Sequence, residues 1–282
     1  MRRIFVLAVI GVLAGAPAWV ATAWADPYDD GMAAAKRGDY AAAVTDLQAV
    51  ATPGPAGQGD ARAQFELGLL YDDGDGVPED DTKAAFWYRL AAAQGNAEAA
   101  FNLAVDYDEG DGVGQDFAKA AALYAQAAAL GQADAQDNLG YDYQNGQGVK
   151  ADPATALYWY HRAAVQGDPT GEYNVGIAYD NGAGVAKDPS AAARWYLLAA
   201  SQGEPDAAYN LAVDYEQGTG VPVDKVQAYR WYEIAASSPA ASEDLQHAAI
   251  QSEEDVSADM SDADIAKAGE LAEEFAPQVA GN

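Results

Sequence analysis

Residues 71–81 read YDDGDGVPEDD, six carboxylates and two glycines within eleven positions. Carboxylate oxygens spaced along a glycine-bearing loop are the raw material of a calcium site, which takes about six to eight hard oxygen ligands. A loop of the EF-hand type needs those ligands at alternate positions and a bidentate glutamate at its end. Counted from Asp73, the third ligand position is Val77, so that pattern fails. A weak, nonstandard divalent-cation site in this loop and its next copy stays open as one reading. Other chemistry has less to stand on. The chain has two histidines, His161 and His247, and no cysteine. Neither histidine has the i, i+4 partner of a helical metal motif. No S-x-x-K, G-x-S-x-G or phosphate-cradling glycine run is present. Carboxylates are so frequent that no single pair is marked as an acid–base couple. The sequence names no catalytic residue, no cofactor site and no metal site, and hydrolysis is the weakest alternative.

The loop reads better as a joint in a repeated scaffold. A shift of 36 residues lays the chain onto itself, with units 61–96, 97–132, 133–168, 169–204 and 205–240. The loop returns as YDEGDGVGQD, YQNGQGVKAD, YDNGAGVAKD and YEQGTGVPVD. The tyrosine, both glycines, the valine and the last aspartate persist, whereas Asp75 becomes Asp111, Gln147, Ala183 and Thr219. What persists is therefore not the set of carboxylates a cation would need. The first glycine suits the left-handed residue that ends a helix, and the second lets the chain reverse tightly. The last aspartate (Asp80, Asp116, Asp152, Asp188, Asp224) suits an N-cap, worth about 1 kcal/mol.

Between the joints the periodicity is helical. In the first helix of a unit Leu67, Gly68 and Tyr71 share a face, and the later units repeat the set with a small residue beside the leucine or valine. That small residue permits close approach of a neighbouring helix. In the second helix Ala84, Trp87, Tyr88, Ala91 and Ala92 follow core spacing. Four units keep the tryptophan (Trp87, Trp159, Trp195, Trp231), which reads as core rather than as a stacking groove. Gly95, Gly131, Gly167 and Gly203 end that helix.

With the pattern A-x-x-N-L-G-x-x-Y-x-x-G-x-G-V-x-x-D, then A-x-x-W-Y-x-x-A-A-x-x-G, these units resemble Sel1-like repeats, relatives of the tetratricopeptide repeat. The resemblance covers 61–240 and implies an all-α fold, a right-handed α/α superhelical solenoid of Sel1-like repeats in helix-turn-helix units of 36 residues. Residues 26–60 resemble a degenerate N-terminal hairpin and loop, and 241–282 a C-terminal capping segment with a helix over 261–276. Ser261 and Asp264 form a variant capping box at its start.

The first 25 residues carry Arg2 and Arg3, an apolar stretch from Ile4 to Ala16 and Ala23-Trp24-Ala25, the marks of a signal peptide cut before Asp26. The expected location is periplasmic or secreted. Without Arg2 and Arg3, 13 of the 15 basic residues remain against 44 acidic ones. Such a field repels nucleic acid and anionic lipid and draws basic surfaces, unless it serves only solubility or salt adaptation. No later stretch is long and apolar enough to span a membrane. In tetratricopeptide-like solenoids the first helices line the concave side. There one row reads Asn102, Asn138, Asn174, Asn210, and the next turn adds Asp106, Asp142 and Asp214. An asparagine ladder holds an extended peptide backbone, or else ties neighbouring repeats together. The aspartates favour Lys or Arg on a ligand. The expected function is an exported protein–protein interaction adaptor with a basic protein surface or peptide as partner, and the resemblance implies a role in signalling or envelope assembly. A structural scaffold for envelope or exopolysaccharide machinery is the alternative.

Overall fold

The computed structural model describes residues 26–54 and 57–279, the side chains of 276–279 excepted. The expected signal peptide lies outside the described residues. Two compact units divide the chain after Leu130. The first contains α1 (Pro27–Lys36), α2 (Tyr40–Ala51), α3 (Ala61–Asp73), α4 (Asp81–Ala92), α5 (Ala97–Glu109) and α6 (Phe117–Ala129). The second contains α7 (Ala133–Asn145), α8 (Pro153–Ala164), α9 (Pro169–Asn181), α10 (Pro189–Ser201), α11 (Pro205–Gln217), α12 (Lys225–Ser237), α13 (Glu243–Ser257) and α14 (Asp262–Val279). The described residues contain no strand, and within each unit consecutive helices pack on one another, except that α14 packs on α12 rather than on α13. The fold is all-α and repetitive, as the periodicity predicts.

Each joint is built the same way. The first glycine takes the left-handed conformation that only glycine adopts freely, with Gly146 at φ 73° and Gly218 at φ 74°. The amides of Gly218 and Thr219 both donate to the Asp214 carbonyl, which satisfies a carbonyl that the helix end would otherwise orphan. The final aspartate caps the second helix: Asp152 accepts from the Ala154 and Thr155 amides, and Asp224 from those of Val226 and Gln227. Its own amide donates back to the tyrosine that begins the loop, as in Asp80 to Tyr71 (2.8 Å) and Asp224 to Tyr215 (2.9 Å). The loop is thereby closed on the helix it leaves.

The second glycine has a role beyond chain reversal. A Cβ at Gly220 would lie 2.3 Å from the Pro189 carbonyl oxygen, and one at Gly184 2.4 Å from that of Pro153. These loops press on the start of the preceding repeat's second helix, so the glycine sets the spacing between repeats. Within a repeat the small residue of the first helix receives a tyrosine ring: a Cβ at Gly140 would lie 2.6 Å from Tyr160. That tyrosine is the constant centre of the core. Tyr88, Tyr124, Tyr160, Tyr196 and Tyr232 are the largest fully buried side chains, whereas Trp159 and Trp195 are only half-buried. The expectation that tryptophan marks the core holds for Trp87 and Trp231, which are buried, and is corrected for Trp159 and Trp195. The two positions are adjacent on the helix, and only the second points at the glycine gap.

An unanticipated set of caps joins one unit to the next. Asn96 accepts from the Ala99 amide at 2.7 Å, and Asp168 and Glu204 cap α9 and α11. Side-chain amides also tie the two helices of a repeat together, each through a buried acceptor on the first helix. Gln94 donates to Gln64 (2.7 Å), Gln166 to Gln136 (2.8 Å) and Gln202 to Glu172 (2.8 Å). In the second repeat both positions are apolar, Ala100 and Leu130. The paired change from polar to apolar is a signal in the repeats themselves that marks these positions as contacts.

Residues 241–279 hold two helices where the sequence analysis names one. Ser242 caps α13 through the Leu245 amide, and at α14 Ser261 both accepts from the Asp264 amide and donates to its carboxylate at 2.8 Å. Phe275 of α14 meets Trp231 edge-on at 5.4 Å, and Arg230 lies over both rings. This covers apolar surface that a repeat array otherwise leaves bare at its end. Among the described residues no helix is long and apolar enough to cross a membrane.

Candidate partner-binding site

The sequence places Asn102, Asn138, Asn174 and Asn210 on one face of the first helices, with Asp106, Asp142 and Asp214 a turn later. The structure encloses much of this row. Asn102 is buried, as are Asp106, Asp142 and Asp214, at 1, 3 and 7% exposure. Asn138, Asn174 and Asn210 are half-buried. The picture of an open ladder is thus corrected: only the later asparagines reach solvent. Asn174 is engaged already, donating to Asp137 of the preceding repeat at 2.7 Å. That bond is of the kind that ties repeats together.

The more open carboxylates lie at the C-terminal ends of the first helices. Asp72 and Asp73 end α3, Asp108 and Glu109 end α5, Asp180 lies in the last turn of α9 and Glu216 in that of α11. None of these helices has a basic residue in its last turn. Acids there face the negative end of the helix dipole, an arrangement that costs a few tenths of a kcal/mol each. Part of the cost is offset by tyrosines. Tyr88 donates to Asp72 (3.3 Å), Tyr160 to Gln144 (3.3 Å) and Tyr232 to Glu216 (2.7 Å), each across 16 residues.

Asp137 is the outlier of the core. Its equivalents are aromatic and lie against the buried tyrosine: Phe65 with Tyr88, Phe101 with Tyr124, Tyr173 with Tyr196 and Tyr209 with Tyr232. Burial pushes the Asp137 carboxyl up to about 7, the Asn174 bond opposes this, and Asp168, Asp134 and Glu204 add to it. Tyr160 of α8 faces it as well. Burial also raises Asp168, Glu172 and Glu204, and raises Asp214 to about 7 with Asp180 assisting. A carboxyl with a raised folded pKa binds protons that the unfolded chain has released. Its stabilisation is therefore complete below about pH 4 and is lost as pH rises through about 7. The melting temperature is expected to fall between pH 5 and pH 8. Asp137→Tyr, which installs the residue of the sibling repeats, should raise stability at pH 8 by roughly 1–3 kcal/mol and flatten that slope. Thermal melts at both pH values check it, and an unchanged slope would remove Asp137 from the account.

The histidines are both exposed, and His161 meets Trp195 edge-on at 5.7 Å. Among the described residues no group of three or more His, Cys, Asp or Glu side chains is arranged to hold a metal ion. The residues brought together make polar contacts between repeats and an acidic border, the materials of a recognition surface.

Glycine joints, capped helix pairs and a buried tyrosine in every unit define an α-helical repeat protein. The chain belongs to the Sel1 repeat family, whose pattern matches residues 61–96, 97–132, 133–168, 169–204 and 205–238. Among solved structures it is similar to a Sel1 repeat protein from Oxalobacter formigenes. The identity is 36% and the TM-score 0.70, over 75% of this chain and 85% of that one. It is also similar to c5321, a protective antigen of uropathogenic Escherichia coli with an SLR fold. There the identity is 20% and the TM-score 0.42, over 90% of this chain and 84% of that one. No curated protein matches the chain. Sel1 repeats are protein–protein interaction scaffolds, and this chain is built as one.

Proposed function

We propose that the protein is an exported interaction adaptor that receives a basic protein surface or peptide on the acidic face of its first helices. The half-buried Asn138, Asn174 and Asn210 would contact the partner's backbone, with Asp106, Asp142 and Asp214 supplying field from beneath. The observation that carries this reading is the placement of carboxylates at the C-terminal ends of α3, α5, α9 and α11, with no basic residue in those turns. Local stability opposes that placement, and a cationic partner reverses its sign. The formal charge of −29 gives the same preference at long range. Catalysis has no comparable constellation, so the reading is of binding.

Titration of the full chain with basic, neutral and acidic peptides of equal length tests it. Basic peptides should bind, with affinity at least tenfold weaker at 0.5 M than at 0.05 M salt. Equal binding of all three classes, or of none, removes the proposal. Regulator and assembly scaffold are separated by recovering complexes from the native envelope. A sensor ectodomain lost when Asp106, Asp142 and Asp214 become Asn supports the first, and an assembly complex indifferent to those changes supports the second. Export is tested by the N-terminal residue of the mature protein, expected to be Asp26.

A further inference from the structure

We infer that the exposed sides of α8 and α10 form a docking surface for an acidic amphipathic helix of a partner protein, received as α12 receives α14. This surface belongs to second helices and is separate from the acidic face of the first helices.

The fifth repeat shows the arrangement occupied. There α14 packs on α12, with Ala268 and Ala272 buried and Phe275 edge-on to Trp231 at 5.4 Å. Arg230 covers both rings, 4.7 Å from the centre of Trp231 and 5.9 Å from that of Phe275, and Glu274 of α14 bears on its charge. Ile234, one turn after Arg230, is half-buried in the same cluster. The covering helix is acidic, with five carboxylates and one lysine in DADIAKAGELAEEFAPQV. A second helix of this fold therefore accepts such an occupant.

The third and fourth repeats present the same positions uncovered. Steps of 36 residues relate Arg230 to Arg194 and Tyr158, Trp231 to Trp195 and Trp159, and Ile234 to Leu198 and Arg162. Trp231 is 2% exposed beneath α14, whereas Leu198 is 49%, Tyr158 54% and Val165 65% exposed. Trp159 and Trp195 stay half-buried. Spacing of i, i+4 and i+7 sets Tyr158, Arg162 and Val165 on one stripe of α8, and Arg194 and Leu198 keep that register on α10. Rings make the stripe continuous: Tyr158 meets Trp159 at 5.0 Å, and His161 of α8 meets Trp195 of α10 at 5.7 Å.

Charge selects the occupant. The chain has 44 acids, yet none stands in residues 153–167 or 189–203. Arg162 lies over Trp159 at 5.3 Å, and among the described residues neither Arg162 nor Arg194 forms an ion pair. The aromatic and leucine side chains supply area to bury, and the guanidiniums meet carboxylates that flank an apolar stripe. A basic helix would set like charges against both arginines. The molecule's own α14 is already engaged on α12, so the helix comes from a partner.

The test uses the full chain and a fluorescent peptide copying residues 261–279, stapled between the exposed positions of Ala266 and Glu270. Anisotropy should show saturable binding. The same peptide with Phe275→Ala, or with Glu273 and Glu274 replaced by lysine, should bind at least tenfold more weakly. In the protein, Leu198→Ser combined with Arg194→Glu should weaken binding at least tenfold without lowering the melting temperature, since both residues are exposed. A peptide that binds this double variant as well as the parent has only exchanged with α14 on α12, and the inference is overturned. Absence of binding to the parent overturns it equally. The double variant should still take basic peptides as the parent does, so this surface and the acidic face fail separately.

Discussion

Tyr160→Ala is expected to lower stability by about 3–5 kcal/mol, and Trp159→Ala by no more than about 2. The tyrosine is 1% exposed and fills the gap that Gly140 leaves in α7, with its hydroxyl tied to Gln144 at 3.3 Å. Truncation opens a cavity between the two helices of the repeat, and the backbone at Gly140 has no side chain with which to fill it. The adjacent tryptophan is half-buried, edge-on to Tyr158 at 5.0 Å and covered on one face by Arg162 at 5.3 Å. Its removal strips a partly solvated surface contact. Tyr160→Phe separates packing from hydrogen bonding, since it keeps the ring and costs about 1 kcal/mol. Urea denaturation of the three variants ranks them, and a tryptophan variant weaker than the tyrosine variant would reverse the assignment of the core.

The second large effect is at the joint of the fifth repeat, where it presses on α10 of the fourth. Gly218→Ala and Gly220→Ala place a methyl at the same backbone angle, φ 74° in both. The left-handed conformation alone costs each about 1–2 kcal/mol. At Gly218 the new methyl meets a Val223 side-chain carbon at 2.8 Å, which can turn aside. At Gly220 it meets the Pro189 carbonyl oxygen at 2.3 Å and carbon at 2.4 Å, backbone at the first turn of α10. Relief requires the loop and α10 to separate, with strain on the bond from the Ser190 hydroxyl to the Gly220 carbonyl (3.0 Å). Gly220→Ala should therefore cost at least about 3 kcal/mol, beyond the backbone strain alone. Limited proteolysis should then cut near residues 218–224 in that variant and not in Gly218→Ala. Equal losses would mean that the second glycine only turns the chain.

Local chemistry made much of the fold legible in advance. Glycines that recur every 36 residues just after a helical stripe define left-handed helix ends. Aspartates that recur before an alanine-rich stripe define caps, and in all five units they cap. The caps at Asn96, Asp168 and Glu204 were equally local and were missed because the residue type changes from unit to unit. The amide pairs between the two helices of a repeat left a trace too, in the joint replacement by Ala100 and Leu130.

The candidate site was legible only as a row. Spacing gives the face of its own helix on which a side chain lies. Exposure is set by residues about 36 positions away, which the spacing of one helix does not contain. Asp106, Asp142 and Asp214 were placed on the correct turn yet are enclosed. Asn174 was placed as a ligand and holds Asp137. The unmatched Tyr196 hydroxyl follows from no residue type at all, since its partner position is an aspartate like that of Tyr88. Sequence alone determined the repeat, its joints and its charge, because these depend on backbone geometry and composition. Tertiary structure decided which aromatic is core and which carboxylates are hidden, because burial and pairing belong to contacts between repeats.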